Sequence, residues 1–253
     1  MRGLSGKRVI LTGGGSGIGR SVALRFAEEG ADVAIFDLDR NGAEETVSEI
    51  KKANGSATAH QVDISDRAQV DDAVAADEKN GPVDILVNNA GWDRMESFLE
   101  TNVDFWKKVI DINLYGPLHM HHAVLPGMVK NGGGRVVNIS SDAGRVGSSG
   151  EAGYSACKGG IISFSKTVAR ELARAGVQVN VVCPGPTDTP LFASVAVGET
   201  GTKIAEGLKR AIPMRRLADP SDFPGIVCFL ASDDAGFITG QTISVSGGLT
   251  MHG

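Results

Sequence analysis

Long apolar runs and clusters of basic residues are both missing from this sequence of 253 residues. No run approaches the roughly 18 consecutive apolar residues that cross a bilayer, so a membrane protein is not expected. The 25 lysines and arginines are scattered and are outnumbered by 30 aspartates and glutamates. Nucleic-acid binding needs a basic stripe that neutralises phosphates, so we expect no nucleic-acid partner.

Cysteine is also scarce, with three widely separated residues, Cys157, Cys183 and Cys228. Without a Cys-x-x-Cys pair, we expect reduced thiols rather than a zinc site or a disulfide framework. His119, His121 and His122 cluster, but their spacing does not suit a zinc site, and no further ligand nearby is evident to complete one. We therefore expect no metal, and we interpret these histidines as core or interface residues.

The N-terminus runs directly into an apparent strand. The segment MRGLSGKRVILTGGG leaves no room for the apolar stretch and cleavage site of a signal peptide, so we expect a cytoplasmic location. Repeats, low-complexity tracts and linkers are not evident. One domain over residues 1–253 is the simplest interpretation.

Short apolar or β-branched runs alternate with amphipathic stretches along the chain. The predicted strands are 8–12, 32–37, 58–62, 84–88, 135–140, 178–183 and 242–245. Helical patterns lie near 17–29, 41–53, 66–79, 101–130, 153–175 and 221–232. Such alternation predicts a single α/β domain of the Rossmann type, a doubly wound seven-stranded parallel sheet with helices on both faces.

The alternation is interrupted after Pro184. Residues from about 186 to 216 show no regular pattern before the next helix. A long irregular segment in a compact domain is usually a lid or binding loop, so we expect this one to bind substrate. A solvated surface insertion is the alternative.

A glycine-rich turn, TGGGSGIG, lies between the first predicted strand and helix. Gly13, Gly17 and Gly19 allow a tight turn, close approach to a pyrophosphate and close packing of the helix on the strand. The helix then offers free N–H groups and a positive dipole end to an anion. A merely structural turn is the alternative.

Asp37 ends the second predicted strand, where a dinucleotide-binding fold holds the adenosine ribose with a carboxylate. A carboxylate accepts hydrogen bonds from both ribose hydroxyls and repels a 2′-phosphate. Leu38 and Asp39 follow it, rather than Arg or Lys, and Ser16 in the turn is uncharged. We therefore expect NAD rather than NADP as cofactor.

Four motifs occur in order along the chain: TGGGSGIG at 12–19, NNAG at 88–91, Ser141 with YSACK at 154–158, and Pro184-Gly185. In order and spacing, residues 5 to 249 resemble the short-chain dehydrogenase/reductase family. The resemblance implies an NAD-dependent oxidoreductase of CH–OH donors. It also implies a homotetramer built on the stretches 101–130 and 153–175 and the C-terminal SGGLTMHG.

The resemblance further implies a catalytic tetrad of Asn113, Ser141, Tyr154 and Lys158. The pKa of a free tyrosine, near 10, is too high for an efficient base at neutral pH. Lys158 shares a helix face with Tyr154, four residues earlier, so we expect its ammonium to lower that pKa. Ser141 follows the end of a strand, where it can hold the substrate oxygen. A solvated helix face is the alternative for Tyr154 and Lys158.

Pro117 lies four residues after Asn113 in the same helical stretch. Proline has no N–H, so a continuous helix would leave the carbonyl of Asn113 free. In the family this carbonyl holds a water in a proton relay to the lysine. A packing kink alone is the alternative.

The remaining cofactor contacts are implied by the same resemblance. Asp63 and Ile64 would hold the adenine, with Thr187 and Thr189 at the nicotinamide. Asn89, Ala90 and Gly91 would pass under the cofactor. The full expected cofactor set is Gly13, Ser16, Gly17, Ile18, Gly19, Asp37, Leu38, Asp63, Ile64, Asn89, Gly91, Tyr154, Lys158, Pro184, Thr187 and Thr189.

Several local stretches, among them Gly91-Trp92-Asp93 and RVGSSGEAGYSACKGG, resemble a narrower group within the family. That group oxidises the ring hydroxyl of 2-hydroxycyclohexane-1-carbonyl-CoA in alicyclic and aromatic acid degradation, and 3-oxoacyl-thioester reductases are its neighbours. The expected substrate residues are Ser141, Trp92, Arg145 and Tyr154. Trp92 could instead simply pack.

A CoA ester carries phosphates, so positive charge is expected at the mouth of the cleft. The candidates are Arg94, Arg145, Lys203, Lys209, Arg210, Arg215 and Arg216, with the cluster at 209–216 foremost. A sugar alcohol, a steroid or a free cyclic alcohol is an alternative substrate. A binding protein that senses NAD without catalysis is an alternative function, which the intact tetrad argues against.

Overall fold

Seven parallel strands form one sheet in the computed structural model, which describes residues 1–195 and 198–251. The strands are β1 Arg8–Thr12, β2 Asp32–Asp37, β3 Ser56–Gln61, β4 Ile85–Asn88, β5 Gly134–Ile139, β6 Val177–Pro184 and β7 Thr242–Val245. Their order across the sheet is β3-β2-β1-β4-β5-β6-β7. The strand order reverses between β1 and β4, and doubly wound sheets bind ligands at this point. The predicted Rossmann-type fold is confirmed.

Ten α-helices lie in the described residues. They are α1 Gly17–Glu28, α2 Arg40–Lys52, α3 Arg67–Asp77, α4 Val103–Ile110, α5 Gly116–Lys130, α6 Ala143–Val146, α7 Ala152–Leu172, α8 Pro190–Val195, α9 Gly198–Ala211 and α10 Pro224–Ala231. No helix among the described residues is both long and apolar enough to cross a membrane.

The hydrophobic core has two layers, one on each face of the sheet. Along β1, Val9 and Leu11 enter the layer beneath α1, α2 and α10, whereas Ile10 enters the layer beneath α3, α5 and α7. Side chains alternate between the faces of a strand, so a sheet covered on both sides needs apolar residues at every position. The three cysteines are free and buried.

A buried polar network joins α5 to the sheet. His121 is buried, with Nδ1 2.6 Å from the carbonyl of Pro117 and Nε2 3.2 Å from the amide nitrogen of Asn138. The Asn138 amide also donates to the hydroxyl of Ser165 at 2.8 Å. These partners fit a neutral ring that donates from Nδ1 and accepts at Nε2. Burial lowers the pKa of His121 to about 4.

The segment from 186 to 216 is mostly helical, and the prediction of an irregular loop is wrong there. It contains α8 and α9, and residues 196 and 197 lie outside the described residues. Ile204, Leu208 and Ile212 recur at every fourth position, which is the spacing of one helix face. Glycines at 198, 201 and 207 weaken the helical pattern when the sequence is read alone.

Candidate active site

A cavity of about 1390 Å³ opens at the carboxyl ends of the central strands. A pocket for one small ligand has roughly 300–1,000 Å³, so this cavity has room for a cofactor and a substrate together. Its wall includes every expected cofactor residue except Gly19, together with Trp92 and Ser141. The structure therefore brings together residues that lie up to 176 positions apart, from Gly13 to Thr189.

The glycine-rich turn is built so tightly that only glycine fits. Gly13 and Gly17 have φ of +69° and +53°, a region that disfavours side chains. A Cβ at Gly19 would lie 2.0 Å from the carbonyl oxygen of Gly13. The Asn89 amide secures the turn by donating to the same carbonyl at 2.9 Å. Gly19 thus packs behind the cavity wall, and the start of α1 faces the cavity.

Asp37 is held with its carboxylate on the cavity wall. One oxygen accepts the Gly15 N–H at 2.8 Å and the other accepts the Asp39 N–H at 2.9 Å. These bonds fix the carboxylate and leave further lone pairs for a ribose. Arg40, the nearest following cation, is paired with Glu44 at 2.7 Å. The glycine-rich turn from Gly13 to Gly19 forms a cradle for a pyrophosphate. This glycine cradle and the Asp37 carboxylate together fit a nicotinamide dinucleotide.

The helix predicted over 101–130 is three elements, because a π-helical turn at Asp111–Tyr115 separates α4 from α5. The Gly116 N–H donates to the Asp111 carbonyl, five residues earlier. Pro117 has no N–H with which to meet the Asn113 carbonyl. A widened turn with a proline at its end is a local distortion that frequently marks functional sites.

The side chain of Asn113 is fully buried and committed to structural bonds. Its Oδ1 accepts the Trp92 N–H at 3.1 Å, and its Nδ2 donates to the carbonyls of Trp92 at 2.6 Å and Val109 at 2.9 Å. Only the backbone of Asn113 is therefore suited to the expected relay. Asn113 lies directly behind Gly91 of the cavity wall.

Lys158 is buried beside Tyr154, as the spacing predicted. Its Nζ donates to the Ile139 carbonyl at 2.9 Å and lies 5.5 Å from the centroid of the Tyr154 ring. Burial lowers the pKa of Lys158 to about 8. This ammonium can therefore exchange a proton near neutral pH.

Tyr154 lines the cavity together with Ser141, but its pKa does not move in the expected direction. Burial raises the pKa above its ordinary value, and the carboxylates of Glu151 and Asp93 raise it further. The Ser141 hydroxyl lowers this pKa, but its effect is smaller. The prediction from the sequence considered Lys158 alone, whereas burial and two carboxylates outweigh it.

Asp93 and Glu151 are cavity residues that the sequence analysis did not identify. Burial raises the pKa of Asp93 to about 7. Asp93 directly follows Trp92, but its local sequence carries no sign of burial or of a carboxylate neighbour from a distant loop. Trp92 both lines the cavity and packs, since it meets the Phe105 ring edge-on at 5.9 Å.

None of the seven basic residues expected at the mouth of the cleft lines the cavity formed by the described residues. Arg145 donates to the Ser244 hydroxyl of β7 at 2.9 Å, and Arg216 is paired with Asp222. Lys107 and Lys108 of α4 line the cavity instead, and the Lys108 ammonium lies 3.9 Å from the Trp92 ring centroid.

Comparison with known proteins identifies the family. The family model described as enoyl-(acyl carrier protein) reductase matches residues 13–250. The chain belongs to the short-chain dehydrogenase/reductase family. It is therefore an oxidoreductase, and the family acts on CH–OH donors.

Three proteins illustrate the range of its relatives. The human protein named (3R)-3-hydroxyacyl-CoA dehydrogenase is 40% identical over 254 residues, covering 96% of this chain and 95% of its own. The structure of actinorhodin polyketide ketoreductase with NADPH matches with a TM-score of 0.93 and 33% identity over 100% of both chains. The 3-ketoacyl-(acyl-carrier-protein) reductase of Brucella melitensis, in complex with NADH, matches with a TM-score of 0.89 and 33% identity, over 98% and 100%.

Proposed function

We propose that this short-chain dehydrogenase/reductase oxidises the hydroxyl of a β-hydroxyacyl thioester with NAD⁺. The leading candidate is 2-hydroxycyclohexane-1-carbonyl-CoA. The observation that carries the proposal is the placement of Ser141 and Tyr154 with buried Lys158 in one cavity with the glycine cradle. This arrangement joins an acid/base group to a dinucleotide site.

The cofactor would be held by residues already described. The cradle of Gly13 and Gly17 suits the pyrophosphate, and Asp37 suits the adenosine ribose. Asp63 and Ile64 would hold the adenine, and the remaining expected contacts line the same wall. The chemistry that NAD⁺ supplies when bound is acceptance of the hydride. NAD preference is supported by the fixed carboxylate of Asp37, which would repel a 2′-phosphate.

The proton of the substrate hydroxyl would pass to Tyr154 while Ser141 holds the oxygen. Because burial raises the pKa of Tyr154, its anion needs a nearby cation at the moment of transfer. Lys158 is that cation, and its lowered pKa lets it pass a proton onward. The free carbonyl of Asn113 would accept a hydrogen bond from the water that takes this proton from Lys158 towards solvent. Arg145 has no part in this mechanism, because it is directed at β7.

The substrate class is supported by two relatives and by the cavity. One is named for a hydroxyacyl-CoA and another for a ketoacyl thioester. Lys107 and Lys108 on the cavity wall are suitable partners for the phosphates of CoA. The leading alternative, reduction of a 3-oxoacyl thioester, reverses the same reaction. A cytoplasmic homotetramer remains a prediction, which light scattering and cell fractionation would test.

A substrate panel tests the proposal directly. NAD⁺ and NADP⁺ are each paired with cyclic and linear β-hydroxyacyl-CoAs, the matching acyl-carrier-protein thioesters, a sugar alcohol, a steroid and cyclohexanol. We expect kcat/KM to be highest for a β-hydroxyacyl-CoA with NAD⁺, by about tenfold or more over the free alcohols. A higher kcat/KM for any free alcohol would overturn the substrate assignment.

A further inference from the structure

Asp93 carries a carboxyl group that the mechanism above does not use. It lies in the loop after β4, is only 7% exposed, and lines the cavity together with Ser141 and Tyr154. Its Oδ2 atom is buried and has no hydrogen-bond donor among the described residues. A buried carboxylate oxygen without a donor is unfavourable, so this atom requires an explanation.

Glu151, which directly precedes α7, supplies the explanation. Its side chain lines the same cavity as that of Asp93, and the two residues also line a second, smaller pocket. Two ionised carboxylates can only accept, so a hydrogen bond between the two side chains needs one proton. The N–H of Glu96 donates to the Gly150 carbonyl at 2.9 Å, and this bond joins the two loops that carry the pair.

The surroundings of the pair make its charge sensitive to pH near neutrality. Burial raises the pKa of Asp93 to about 7, Glu151 raises it further, and Lys158 lowers it. The charged and titratable groups around Asp93 are Glu96 from its own loop, Lys108 from α4, Glu151, and Tyr154, Cys157 and Lys158 from α7. The pair therefore carries one negative charge at lower pH and two at higher pH.

We propose that Asp93 and Glu151 are specificity-determining residues that share one proton, offer it as a hydrogen bond to the acyl carbonyl two carbons along the chain from the reacting carbinol carbon, and reject free β-hydroxy acids. In a β-hydroxyacyl thioester only one carbon separates the carbinol from the carbonyl. A carbinol at Ser141 and Tyr154 therefore brings the carbonyl to the neighbouring part of the wall. This inference rests on the proposed thioester chemistry.

The charge of the pair gives the rejection its physical cause. A thioester carbonyl is neutral and accepts a hydrogen bond, so it benefits from the shared proton. A free carboxylate at the same position would meet the remaining negative charge in a largely buried site, where repulsion is weakly screened. The site thus distinguishes an activated acyl group from its hydrolysis product.

The first test compares kcat/KM for a β-hydroxyacyl-CoA and for the matching free β-hydroxy acid. The Asp93→Asn/Glu151→Gln double variant removes the charge, and we expect the preference for the thioester to fall by about tenfold or more. Glu100→Gln is the matched control, since Glu100 is an exposed carboxylate of the same loop outside the cavity. A preference that stays at the wild-type value in the double variant would overturn the proposal.

The pH profile provides a second readout. In the wild type, kcat/KM for the thioester should fall as the pH rises through about 7, because the shared proton is lost. Asp93→Asn keeps the single charge of Glu151 and an N–H donor, so this decrease should disappear while the preference for thioester remains. The same decrease in Asp93→Asn would contradict the assignment.

A spectroscopic test separates this inference from the proposed function. If the wild type turns over no thioester, the proposed function fails, and infrared difference spectroscopy still tests the pair. We expect the carbonyl band of a protonated carboxylic acid, lost as the pH rises through about 7 and absent in Asp93→Asn. If Asp93→Asn does not fold, the Glu151→Gln variant takes its place in this measurement. A folded wild type without that band would refute the shared proton.

Discussion

The side-chain amide of Asn113 makes two hydrogen bonds to the backbone of Trp92. It accepts from the Trp92 N–H at 3.1 Å and donates to the Trp92 carbonyl at 2.6 Å. This relationship ties the π-helical turn to the loop that carries Trp92 and Asp93 along the cavity wall. It also explains Gly91, because a Cβ there would lie 3.0 Å from Asn113 Oδ1. The position of this part of the cavity wall thus depends on the buried side-chain amide of Asn113.

Asn113→Ala should therefore weaken both stability and catalysis. Losing these bonds leaves the partly buried N–H and carbonyl of Trp92 without the Asn113 side chain as a partner, which should lower the free energy of unfolding by about 2–4 kcal/mol. Chemical denaturation and kcat measure the two effects. Asn102→Ala is the control, since Asn102 caps α4 by accepting the Phe105 N–H at 3.0 Å. It should cost about 1 kcal/mol and leave kcat unchanged. An Asn113→Ala enzyme with normal kcat would contradict the role given to this turn.

Tyr154→Phe should remove catalysis and leave cofactor binding intact. Without its hydroxyl, the substrate proton has no acceptor, and kcat should fall by about 10²–10⁴-fold. NADH binding, followed by fluorescence, should persist. Tyr115→Phe is the matched control, because the other tyrosine of the chain is exposed and outside the cavity. Equal kcat in both variants would favour an NAD-sensing protein or a different base.

Asp37→Ser/Leu38→Arg should shift the cofactor preference towards NADP⁺. The double variant removes the carboxylate that would repel a 2′-phosphate and adds a guanidinium, while Ser can still accept the Gly15 N–H. The ratio of kcat/KM for NADP⁺ to that for NAD⁺ should rise by about 100-fold, which corresponds to roughly 2.7 kcal/mol. Asp39→Asn is the control, since Asp39 caps α2 away from the cavity. A wild type that already prefers NADP⁺ would contradict the assignment of NAD as the cofactor.

His121 should make the protein less stable in acid. Its pKa of about 4 in the folded state lies below the usual value near 6.5, so the unfolded chain binds the proton more readily. The contribution of the neutral ring is complete above pH 6.5 and is lost as the pH falls towards about 4, by up to about 3 kcal/mol.

The free energy of unfolding measured from pH 7 to pH 4 checks this contribution. His121→Gln should show a flatter pH dependence than the wild type. His122→Gln, which changes an exposed histidine on the same helix, should match the wild type. Parallel curves for His121→Gln and the wild type would show that folding does not lower the pKa of His121.

Local patterns predicted the elements that depend on neighbours in the sequence. All seven strands were predicted because a sheet covered on both faces needs continuous apolar runs such as Val9 to Leu11. The turn at Gly13 to Gly19 was predicted because its steric requirement is local. The helix at 198–211 was missed because its three glycines weaken the helical pattern when the sequence is read alone.

By itself, the sequence determined the doubly wound sheet, the cradle for a dinucleotide, and the positions of Ser141, Tyr154 and Lys158. These features follow from hydrophobic periodicity and motif spacing, which depend only on the order of residues along the chain. Only the tertiary structure decided the direction of the Tyr154 pKa shift, the placement of Asp93 and Glu151 in one cavity and the orientation of Arg145 towards β7. Burial and charge act through space. They depend on loops that lie far apart in the sequence and meet only when the chain has folded.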